Sequence, residues 1–113
     1  MFNTSEASAQ ASDVDMTLNW ITEAQALTAL DGAINQKVLD QSNYTQGSTP
    51  WLNLDNYIRY YKLIYITIED GSTVPASVGK ALDSMTAIGV ADQMLPNATL
   101  QQLHASAVDL LTL

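Results

Sequence analysis

A lone histidine, His104, is the first side chain to weigh for chemistry in this 113-residue sequence. An imidazole acting as general base needs a nucleophile or an orienting acid within hydrogen-bond reach, which on one helix means a residue three or four positions away. Ser106 and Asp109 stand two and five positions on, spacings that place neither on the histidine's own face. Acidic pairs occur at Asp13/Asp15 and Glu69/Asp70. A calcium loop opening at Asp13 would have Leu18 where the sharp turn needs glycine and Ala24 where the bidentate glutamate belongs, so it loses both the bend and the ligand. Glu69-Asp70 fits a polar helix end beside Gly71. Gly79-Lys80 resembles the close of a phosphate-binding loop, but Val74 replaces its first glycine and Ala81 its magnesium-binding hydroxyl. With one histidine and no cysteine there is neither a zinc pattern nor a thiol nucleophile. The expectation is a protein that is not an enzyme, with no catalytic, metal or cofactor-binding residues.

The segment Tyr57-Ile58-Arg59-Tyr60-Tyr61-Lys62-Leu63-Ile64-Tyr65 is different. It gathers four of the five tyrosines and two of the four basic residues. On a helix whose Ile58/Tyr61/Tyr65 stripe faces the core, Arg59, Lys62 and Tyr60 fall on the other side, and tyrosine and arginine are enriched at interface hot spots. The plainer account is that the rings pack with their hydroxyls outward while the bases pair with the surplus of acids. Tyr57, Arg59, Tyr60 and Lys62, with Leu110 and Leu111 at the end of the last helix, are the candidate partner-binding residues. Trp20 and Trp51 are expected as core anchors.

Charge narrows the partner. Twelve acids against four bases give a net charge of −8, and the bases Lys37, Arg59, Lys62 and Lys80 all lie in the middle of the chain. Such a chain is repelled by nucleic acid and by anionic membranes, and its acids are too widely spread to imitate a phosphate backbone. Charged residues make up only 14% of the sequence, against roughly 25% in an average soluble domain, which favours quiet polar surfaces suited to protein contact. No apolar run approaches the roughly 20 residues of a membrane span. Residues 1–12 carry neither a basic nor an apolar stretch, so no classical secretion signal is expected and the Asn-x-Ser/Thr matches at Asn3, Asn43 and Asn97 read as composition. The expected location is the cytoplasm or a virus particle.

The elements that must position these residues follow from periodicity. A flexible arm, 1–12, precedes a single helical domain, 13–113. Val14, Leu18 and Ile21 predict a short first helix capped by Ser12. Thr22-Glu23-Ala24-Gln25 resembles a capping box opening a second helix, in which Leu27, Leu30, Ile34 and Val38 face inward. A polar loop over 42–49 leads to Thr49-Pro50 and a helix striped by Trp51, Leu54, Ile58, Tyr61, Tyr65 and Ile68. Residues 63–69 also alternate with period two, as a short strand would. Start and stop signals framing about twenty residues favour helix. Thr73 then caps a helix bearing Val78, Leu82, Met85 and Ile88 and ending at Gly89, and after an uncertain stretch over 92–95 a final helix follows Pro96-Asn97, faced by Leu100, Leu103, Ala107, Leu110 and Leu111. The fold class is thus mostly α, a small bundle of four or five amphipathic helices.

A structural or assembly protein fits this picture best. It would pack helical surfaces against identical copies or a larger scaffold, such as a phage particle, as a homo-oligomer or a component of a complex. The alternative is a small acidic adaptor or inhibitor that reaches a basic site on a cellular protein through its negative field. A third reading, an apolar ligand held among Trp20, Trp51 and the tyrosines, needs an internal pocket.

Overall fold

Thr22 shows how closely local sequence dictates the first boundary. The Gln25 N–H donates to Thr22 Oγ1 at 3.2 Å, and the Thr22 N–H donates to Gln25 Oε1 at 2.9 Å, so the expected capping box is formed in full. The computed structural model describes residues 14–91 and 97–113, and it contains four helices: α1 (Glu23–Gln41), α2 (Thr49–Glu69), α3 (Val74–Ala91) and α4 (Asn97–Leu111). The arm over 1–12, the cap at Ser12 and the turn over 92–95 lie outside the described residues.

The predicted short helix ahead of Thr22 does not form. Residues 14–22 instead run as turns and extended chain, ending in an antiparallel bridge between Trp20 and Thr112. The physical reason is local. Asp15 Oδ1 accepts from both the N–H (2.9 Å) and the hydroxyl (2.6 Å) of Thr17, and the Trp20 indole N–H donates to the Asp15 carbonyl at 3.1 Å. These bonds compete with a helical ladder. Val14 still reaches the core, while Leu18 stays exposed.

Residues 63–69 are helical. A strand would bury Ile64, Ile66 and Ile68 together, whereas Ile64 and Ile68 are buried and Ile66 is 57% exposed. Thr67 returns its hydroxyl to the carbonyls of Leu63 and Ile64, satisfying within the helix a residue type that otherwise favours strands. α2 then stops in a Schellman motif. Gly71 sits at φ 105°, its N–H donates to Ile68 O, and the Ser72 N–H donates to Thr67 O, both at 3.0 Å. At the other end the N-cap is Ser48, one residue before the expected Thr49, with Pro50 in the first turn.

α1 and α2 form the central pair, and the end of α1 meets the start of α2. Gln41 Nε2 donates to the Trp51 carbonyl at 3.2 Å and to Asp55 Oδ1 at 3.4 Å. α3 returns across α2 after its first turn is capped by Thr73, whose hydroxyl accepts from the Ala76 N–H, and it continues through Gly89 to Ala91 where an end at Gly89 was expected. Gly79-Lys80 is therefore mid-helix, which removes any phosphate loop. Leu30, Tyr60, Ile64, Val78, Leu82, Met85, Leu103 and Leu111 fill the core completely. Among the described residues no helix is long and apolar enough to cross a membrane.

Candidate interaction surfaces

The residues expected to bind a partner separate into three environments. Tyr60 and Leu111 are both 0% exposed and belong to the core, which corrects their surface assignment. The inward face of α2 is turned toward Tyr60 and Ile64 because α3 packs there, and the Tyr60 hydroxyl points at the Val78 carbonyl, 3.5 Å away. That burial, with Tyr61 beside it, pushes the Tyr60 phenol well above its ordinary range. Leu111 is buried because the chain after α4 doubles against residues 19–21: the Ile21 N–H donates to the Leu111 carbonyl at 3.0 Å, and the Leu113 N–H donates to Asn19 O at 2.8 Å.

Leu110 lines a groove, and Tyr57 stands beside it, in contact with the lining residues Lys37 and Tyr61. The groove opens where α1, α2 and α4 meet, encloses about 440 Å³, and is lined by Ala33, Gln36, Lys37, Tyr61, Ser106, Asp109 and Leu110. The Lys37 ammonium lies 4.7 Å from the centroid of the half-buried Tyr57 ring, a cation–π contact that fixes one wall. The Tyr57 and Tyr61 rings meet edge-on, their centroids 6.1 Å apart. The Tyr61 hydroxyl donates to Ser106 Oγ at 2.9 Å, and that hydroxyl donates onward to the Leu103 carbonyl. Burial raises the Tyr61 phenol; the bond to Ser106 pulls the other way, and Tyr57 and Asp109 add to the rise. The Tyr61 and Ser106 hydroxyls are each engaged within the fold, and neither tryptophan lines the groove.

Arg59 and Lys62 point outward, as expected, but to different ends. Arg59 Nε is 3.0 Å from Asp55 Oδ2, one turn earlier on α2, and Asp55 is also held by Gln41. Arg59 is thereby engaged in tying α2 to α1. Lys62 lines a second groove of about 220 Å³ with Asp31 and Ile34 of α1 and Tyr65 and Ile66 of α2. Further apolar side chains of α1 are exposed. Val38, one turn past Ile34 and expected in the core, is 45% exposed, and Leu39 is 64% exposed. The signal for Ile66 and Leu39 was present in the sequence, since both are apolar residues off their helix's inward stripe. Asp31, Lys37 and Asp109 carried no such signal.

Among the described residues no group of three or more His, Cys, Asp or Glu side chains is placed to hold a metal ion. Set against family models, characterised proteins and solved structures, the chain matches none.

Proposed function

We propose that this chain is a non-catalytic structural or assembly protein that docks through its helical surfaces onto identical copies or a larger scaffold. The observation that supports it is the exposed apolar surface on the central helix pair, Val38 and Leu39 on α1 and Ile66 on α2, none of which serves the core. Scattered apolar residues are ordinary on any surface, but here Ile66 and Ile34 share one groove, and the exposed Val38 stands one helical turn past Ile34 on α1. Burying such side chains releases roughly 25 cal/mol per Å², a drive that moderate salt does not screen. The triple substitution Val38→Ser, Leu39→Ser and Ile66→Ser tests this. The variant should keep the melting curve of the parent and lose association with itself or its scaffold. Unchanged association would exclude this surface, and association released by salt would support the acidic adaptor instead.

A further inference from the structure

Asp31 and Lys62 face the same groove from α1 and α2, both exposed, and neither has an ion-pair or hydrogen-bond partner among the described residues. Between them lies an apolar floor of Ile34, Tyr65 and the protruding Ile66. An acid on one wall, a base on the other and an apolar knob between them make a patch complementary to itself. In a two-fold pairing, whatever residue i meets on residue j of the partner is met again in reverse. Asp31 of one copy would face Lys62 of the other, twice, while each Ile66 enters the Ile34/Tyr65 floor opposite. A partner of uniform charge would satisfy one wall and oppose the other.

We infer that this groove seats a second copy of the chain in a two-fold symmetric dimer, with reciprocal Asp31–Lys62 contacts flanking an Ile66 contact. The inference rests on the assembly reading above and names its interface. The net charge of −8 on each copy opposes the approach. At physiological ionic strength that repulsion is screened beyond about 8 Å, whereas contacts at the interface are screened far less. Dimerisation is therefore expected at moderate salt and weakened at low salt.

The charge pattern gives the test. Asp31→Lys places two lysines opposite each other at both contacts of its homodimer, and Lys62→Asp does the same with two aspartates. Both positions are exposed, so the fold should survive, as circular dichroism can verify. Sedimentation velocity at moderate salt should show each single variant dimerising on the order of tenfold more weakly than the parent. An equimolar mixture of the two should recover the dimer, since one chain then carries lysine at both sites and the other aspartate at both. The double variant should recover it alone. A parent dimer indifferent to all these exchanges would overturn this interface and leave assembly through another face intact. A parent chain that is monomeric throughout would overturn the dimer together with self-assembly.

Discussion

Trp20 pairs with Thr112 in an antiparallel bridge, so the segment leading into α1 is fastened to the residues that follow α4. Flanking bonds from Ile21 to Leu111 and from Leu113 to Asn19 make this a short two-sided clasp. Deleting Thr112 and Leu113 removes the Leu113–Asn19 bond and should loosen the chain around Trp20 while leaving the four helices in place. The expected loss is about 1 kcal/mol per hydrogen bond removed. In a Trp51→Phe background, the emission of Trp20 should shift to the red; an unchanged spectrum would mean that the clasp does not hold the indole.

The capping box makes a sharper local prediction. Thr22→Ala removes the acceptor for the Gln25 N–H and should cost about 1 kcal/mol in urea unfolding. Gln25→Ala removes the reciprocal bond and should cost less, because the backbone N–H it frees is exposed and can turn to water.

Two glycines should respond with opposite signs. Gly32 lies inside α1 with nothing within 4 Å of an added Cβ, so Gly32→Ala should stabilise the chain by roughly 0.5–1 kcal/mol. Gly71 also has free space, but its φ of +105° closes the Schellman motif in a region that L side chains avoid. Gly71→Ala should therefore destabilise by about 1–2 kcal/mol. Thermal melts of the two variants check the sign directly.

Tyr60 predicts alkaline sensitivity. In the unfolded chain its phenol titrates near the ordinary value of about 10, and in the fold burial holds the proton to higher pH. Below about pH 10 both states are protonated and the contribution is complete; as pH rises beyond it, the unfolded chain releases its proton first and stability falls. Tyr61, shifted in the same direction, adds to the fall. Tyr60→Phe should be nearly neutral at pH 7, given the long 3.5 Å contact of its hydroxyl, and should flatten the alkaline decline in the urea midpoint. Tyr60→Ala should cost about 3–5 kcal/mol below about pH 10, and less as the pH rises beyond it.

Much of this architecture is legible in the sequence wherever a local rule decides alone. The capping box at Thr22, the glycine stop after α2, the Thr73 cap and the apolar face of α4 are all of that kind. Where a tertiary partner decides, the residues do not reveal it. Nothing near Tyr60 in the chain says that α3 will cover it, so periodicity placed the inward face of α2 slightly off its true position. Asp15 and Thr17 resemble the first turn of a helix, yet their side-chain bonds hold a turn instead. The candidate surface divided in the same way. Lys62 is where helical spacing put it, and Ile66 was visible as an apolar residue off the stripe, but that Asp31 shares their groove depends on how α1 and α2 align.

Ser77 offers a further check on the packing around α3. It is wholly buried and its hydroxyl has no hydrogen-bond partner among the described residues. Ser77→Ala removes an unsatisfied polar group without changing shape much, so it should be neutral or stabilising by up to about 1 kcal/mol. A marked loss of stability would mean that the hydroxyl is engaged after all.

If the exposed faces of α1 and α2 serve assembly as proposed, the solution mass of the unmodified chain will show it without any substitution. Light scattering across micromolar concentrations, at low and at moderate salt, should give a discrete oligomer that persists at moderate salt. A mass that stays at the 12.2 kDa of one chain under every condition would contradict self-assembly.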